Sequence, residues 1–138
     1  MEKSYSIHNN LSLYISIHVP KTAGTFFRYL LHDLDINILF FNYGKDHPQT
    51  KLYINNKLVT NVCNQNLEET FYLLCSKTEG KALMHGHYGA SVYSNLFDKA
   101  KFITWVREPA QRLFSHFQYW KRWKPIVNYT FWHSVPSS

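Results

Sequence analysis

No run of about 18 apolar residues, the length a membrane-spanning helix needs, occurs anywhere in the 138-residue chain. Met1-Glu-Lys-Ser leads into a strand pattern rather than a signal-peptide core. The chain as given reads as soluble, with no membrane segment. Cysteine is almost missing: Cys63 and Cys75 have neither zinc-ligand spacing nor the density of a secreted disulfide scaffold, and both read as buried thiols. Acidic residues are few, 9 against 15 Lys and Arg, which gives a net charge of +6. That balance favours an anionic partner such as a nucleotide, a nucleic acid or an acidic glycan, and equally serves to keep a domain soluble. There is no internal repeat and no low-complexity tract. The Walker pattern GxxxxGK followed by Ser or Thr is also absent, which removes support for an ordinary magnesium-nucleotide P-loop.

What is present is hydrophobic and aromatic, 45% and 17% of the residues, with charged residues at 17%, and this marks a globular chain with an aromatic core. Its length suits one domain over 1–138. Leu11 to Val19 reads as a strand buried on both faces, followed by a turn and a helix over Gly24 to Leu34 with Phe27, Leu30, Leu31 and Leu34 at helical spacing. A strand over Ile36 to Phe41, a polar loop, and a hairpin around Asn55-Asn56 follow. Leu67 to Ser76 reads as a helix, Lys81 to His85 as a short strand and Tyr93 to Ala100 as a helix. Lys101 to Val106 is a further buried strand, and Pro109 opens a helix running to about Trp123 with Leu113, Phe117 and Trp120 on one face. Alternating strands and helices predict an α/β fold, three-layered around a mainly parallel central sheet, with a P-loop-like strand-turn-helix phosphate site.

Three segments carry chemistry. In "IHVPKTAGTFF" a strand empties through Pro-Lys-Thr-Ala-Gly-Thr into a helix, bringing backbone N–H groups and the positive helix end to one point. Lys21 adds a charge, Gly24 allows close backbone approach, and Thr22 and Thr25 offer hydroxyls; the same residues also make a plain strand-to-helix turn. In "TWVREPAQRLFSHF", Arg107 stands at a strand's carboxyl end and Ser115 lies on the following helix. Strand carboxyl ends share one edge of a parallel sheet, so Arg107 and Lys21 are expected to converge on a phosphate-bearing ligand, unless Arg107 simply pairs with Glu108. In "MHGHYGA", His85 and His87 flank Gly86. Two histidines suggest metal ligands, but without a convincing third ligand nearby a general-base role suits one of them better.

These three segments, in this order, resemble the sulfotransferases that use 3'-phosphoadenosine 5'-phosphosulfate, particularly the carbohydrate branch of heparan-sulfate 2-O/6-O type. The likeness spans about Ile17 to Tyr119. It implies a donor 5'-phosphosulfate loop over Lys21, Thr22, Ala23, Gly24, Thr25 and Phe26, with Lys21 near the bridging oxygen. It also implies that Arg107 and Ser115 hold the 3'-phosphate and that His87 is the catalytic base, leaving His85 to support the site or touch substrate. Sulfuryl transfer to a carbohydrate hydroxyl without a metal is the expected reaction. Related domains continue well past the second phosphate segment, so the chain is expected to be incomplete or shortened at its C-terminal end. An inactive nucleotide-binding remnant is the alternative. The aromatic and basic tail, Tyr119 to Trp132, reads as core cover, a sugar-stacking surface or a single-strand-binding face, although no nucleic-acid partner is expected. Asn10 and Asn128 stand in glycosylation sequons. Although eukaryotic relatives are Golgi-anchored, the absence of a visible signal or membrane segment favours the cytoplasm.

Overall fold

A computed structural model describes residues 5–60, 67–97 and 99–123. Cys63, Lys124, Asn128, Tyr129, Phe131 and Trp132 therefore lie outside the described residues. The chain divides into two compact units, Met1–Val106 and Arg107–Ser138.

The first unit is a mixed α/β fold. Its strands are β1 (Leu11–Ile17), β2 (Ile38–Asn42), β3 (Lys51–Ile54), β4 (Lys57–Leu58), β5 (Gly80–Gly86) and β6 (Lys101–Thr104). Its helices are α1 (Gly24–Asp33), α2 (Leu67–Lys77) and α3 (Ala90–Tyr93). The six strands form one sheet in the order β4-β3-β2-β5-β1-β6. β1, β2, β5 and β6 run parallel, while β3 and β4 attach as an antiparallel hairpin beside β2. The hairpin turns at Asn55 and Asn56, whose φ values of 47° and 62° are the left-handed pair a two-residue turn of this hand requires.

Alternation along the central strands sends apolar side chains to both sides of the sheet. Leu13, Ile15, Phe40 and Met84 join Phe71, Tyr72 and Cys75 of α2 in one core cluster. Leu39, Phe41 and Leu83 point the other way and meet Leu31 of α1. Each such fully buried Leu, Ile, Met or Phe contributes roughly 1.5–3 kcal/mol, so the paired clusters hold the central strands from both faces.

Three expectations change. The helix expected over Tyr93 to Ala100 is a single turn, Ala90–Tyr93, because the chain goes into turns immediately afterwards. The last strand is not buried: among the described residues β6 lies at the sheet edge and pairs with β1 alone, and Phe102 is 42% exposed. Of the apolar positions Phe27, Leu30, Leu31 and Leu34 only Leu31 is buried, and Leu30 and Leu34 are exposed, so the buried stripe is narrower than the apolar spacing indicated.

The second unit is described through α4 (Pro109–Trp123). The Glu108 carboxylate accepts hydrogen bonds from the Ala110 and Gln111 backbone N–H groups at 3.0 and 2.7 Å, capping the helix. Those bonds, helped by nearby Arg107, hold its carboxyl below the usual range. Leu113, Phe117 and Trp120 are exposed.

Candidate functional site

The carboxyl ends of β1 and β5 lie side by side, with Ile17 in register with Gly86, and the His18 N–H extends the ladder by donating to Gly86 O at 2.8 Å. The Pro-Lys-Thr-Ala-Gly-Thr turn leaves β1 there, and the His-Gly-His segment leaves β5 there. Proline cannot continue the ladder because it has no N–H, which ends the strand's pairing at this point.

Within the turn, Lys21 and Ala23 are both left-handed, with φ of 67° and 65°. Such a conformation costs a non-glycine residue roughly 1–2 kcal/mol and persists only where surroundings impose it. Thr22 between them is buried and donates its hydroxyl to Val19 O at 2.6 Å, closing the turn on itself. The Thr22 hydroxyl proton is thus spent internally rather than offered to an anion. Helix α1 starts at Gly24, with Ala23 rather than a threonine in the capping position and no side-chain cap. Thr25 and Phe26 are exposed on its first turn.

Gly24 is buried against an imidazole that sequence reading passed over. A Cβ at Gly24 would lie 1.8 Å from His18 Nε2, so the bare backbone makes room for the ring. The His18 ring stacks on His85 at 5.2 Å between centroids and tilts against His87 at 4.3 Å. Three imidazoles thereby form a ladder beneath the turn, edged by Phe27 against His85 and by Tyr43 against His87.

The three differ in environment. His85 is fully buried, with its Nδ1 2.9 Å from Ser16 Oγ and its Nε2 lacking a hydrogen-bond partner among the described residues. Burial first, then the neighbouring His18, Arg28 and His87, push its pKa down to about 3. His85 therefore cannot touch a substrate and supports the ladder as a neutral ring. His18, with Nδ1 likewise unpartnered, is lowered to about 4 by burial, His87 and Arg28. His87 is exposed, and burial of part of its ring, followed by His47, holds its pKa below the usual 6.5. Of the three it is the exposed one, with His18 half-buried and His85 buried. No group of three His, Cys, Asp or Glu among the described residues is arranged to hold a metal.

Beside His87 opens a cavity of about 350 Å³ between the loop after β2, the start of α2 and the turn after β5. Asn42 Nδ2 donates to Tyr93 Oη at 2.9 Å, and Tyr93 donates to Glu68 Oε1 at 2.9 Å, where the Tyr72 hydroxyl also donates. Tyr88 fastens the wall by donating to Met84 O and Ser16 O at 3.0 and 3.2 Å. Burial pushes the Tyr72, Tyr88 and Tyr93 hydroxyls well above their ordinary range, keeping them donors.

A scan against protein-family models, a search of curated proteins and a search of solved structures each returned no match.

Lys21, Thr22, Ala23, Gly24 and His87 are thus gathered at one end of the β1–β5 pair, with Thr25 and Phe26 on the adjoining helical turn. Arg107 and Ser115 belong to the second unit, Arg107 exposed before α4 and Ser115 half-buried on it. His18, Asn42, Glu68 and Tyr93 were missed. His18 was visible as a polar residue at the end of an apolar strand, but Glu68 and Tyr93 sit among helical residues whose spacing carries no sign of a site.

Proposed function

We propose that the chain is a sulfotransferase that moves a sulfuryl group from 3'-phosphoadenosine 5'-phosphosulfate to a hydroxyl of a carbohydrate, through a P-loop-like turn and a histidine base. One observation carries the reading: the His18 ring bridges the Gly24 turn and His87, so the Pro-Lys-Thr-Ala-Gly-Thr turn and an exposed imidazole stand together at the carboxyl ends of adjacent parallel strands. Left-handed residues at Lys21 and Ala23 favour a concavity of backbone N–H groups, which suits phosphate or sulfate.

In this reading His87 takes the proton of the acceptor hydroxyl as the acceptor oxygen bonds to sulfur and the bond from sulfur to the bridging phosphate oxygen breaks. The leaving bisphosphate nucleotide carries away that electron pair. Lys21 and the turn's N–H groups stabilise the charge growing on the leaving oxygen. A lowered His87 pKa keeps the base unprotonated at neutral pH. Arg107 and Ser115 enter from the sequence likeness, as holders of the 3'-phosphate.

Calorimetric titration with adenosine 3',5'-bisphosphate, set beside ATP with magnesium, tests the reading. Preferential bisphosphate binding that weakens in Lys21→Ala and Arg107→Ala is expected, and no bisphosphate binding to the folded chain would sink it. His87→Ala should lower sulfate transfer by about 10²–10⁴ while donor binding persists. Donor binding with no transfer by the unaltered chain identifies an inactive remnant instead.

A further inference from the structure

The cavity beside His87 is balanced in charge, whereas the chain as a whole is basic. Its charged lining groups are one of each sign, Glu68 and Lys45, while the net charge of the chain is +6. Both phenol bonds to Glu68 fall on Oε1, so Oε2 keeps its acceptor capacity. The Asn42 amide oxygen accepts from the Gly44 N–H at 3.3 Å and keeps a second lone pair, while its Nδ2 is engaged by Tyr93. Tyr43 and Tyr88 supply aromatic surface in the same lining. The volume, about 350 Å³, sits at the small end of ligand pockets, which run from about 300 to 1,000 Å³.

We propose that this cavity binds a neutral, polyhydroxylated sugar ring, with Glu68 and Asn42 receiving its hydroxyls, and that it presents one hydroxyl to His87. The last clause rests on the sulfotransferase reading; the ligand class does not. A carboxylate at the edge of the ring that faces Glu68 would be repelled by it, with Lys45 the cation of the lining, whereas hydroxyls at that edge donate to Glu68 directly. The aromatic walls match the C–H face of a sugar ring, and the carboxylate and amide match its edge.

The test is a nuclear magnetic resonance titration of the whole chain with methyl β-glucoside and methyl β-galactoside, against the near-isosteric methyl β-glucuronide. Saturable shifts at the Asn42 side-chain amide and at the Tyr88 and Tyr93 backbone amides are expected with the neutral glycosides at tens of millimolar. The glucuronide should bind about tenfold more weakly, and Glu68→Gln should close that gap while the neutral glycosides still bind. Should Glu68→Gln fail to fold, the comparison of probes on the unaltered chain decides alone. Equal or tighter glucuronide binding, or no saturable shift at these amides, overturns the proposal. Adenosine 3',5'-bisphosphate is titrated in parallel and read at the Lys21–Phe26 amides. Glycoside binding without bisphosphate binding upholds the sugar pocket and removes the sulfotransferase reading, and the reverse result removes the pocket alone.

Discussion

Two glycines are needed here for the room that their missing side chains leave. A Cβ on Gly86 would lie 1.7 Å from Asn42 O, a backbone atom of the neighbouring strand that cannot step aside. Gly86→Ala should therefore lower stability by about 2–3 kcal/mol, measured as a shift in the urea midpoint with little change in slope. At Gly24 the obstacle is the His18 ring, which a rotation can displace, so Gly24→Ala should cost about 1 kcal/mol but disturb His87 through the shared stack. The His87 resonances would report that disturbance directly.

The imidazole ladder also makes the molecule acid-labile. His85 and His18 have folded pKa values of about 3 and 4 against an ordinary 6.5. Below pH 6.5 the unfolded chain takes up protons that the folded one refuses, so stability falls as pH drops through that window and levels off below the folded values. From His85 alone the loss at pH 5 is about 2 kcal/mol. Thermal melts from pH 7 to pH 5 should show it, and His85→Phe should flatten the slope; an unchanged slope would remove His85 as its source. The lowered His87 pKa predicts in turn that the acid limb of any transfer activity lies below pH 6.5.

Among the elements, the strands and the longer helices were legible because each carries its own period. Leu11–Ile17, Lys51–Ile54 and Pro109–Trp123 fall where apolar spacing, the Asn-Asn pair and the first-turn proline put them. The short helix at Ala90 was misplaced because one helical turn is too brief for a 3.6-residue period to show. The exposure of β6 was illegible for another reason. Lys-Phe-Ile-Thr reads the same at the centre of a sheet as at its edge, and strand order is decided by partners elsewhere in the chain. The turn and His87 could be found because backbone chemistry is written locally in Pro, Gly and Lys. The Glu68 network could not, since its members come from three elements. One local signal remains improvable: Asn56, with φ of 62°, follows Asn55 in the hairpin turn. Asn56→Gly should leave stability unchanged or raise it by up to about 1 kcal/mol, read as a higher melting temperature.

For the molecule as a whole, the two sheet edges are unequal. β4 at one end is two residues long and carries Lys57, a poor template for added strands. At the other end β6 pairs on its β1 side and exposes Phe102. Phe102→Lys should reduce concentration-dependent association in sedimentation while changing stability by no more than about 0.5 kcal/mol, as an exposed substitution does. If association is unaffected, this edge is not its cause.

The sheet order also sets a timetable. β1 leaves the ribosome before β2, β3 and β4, yet both of its neighbours, β5 and β6, follow all three, and Leu11 finds its partner only when Gly80 has been made. The β3–β4 hairpin, by contrast, closes across two residues. Nascent chains arrested before β5 should leave the β1 amides open to hydrogen exchange, and release of the His85 segment should protect them together. An apolar strand kept waiting until β5 has been made is where a chaperone would be expected to bind.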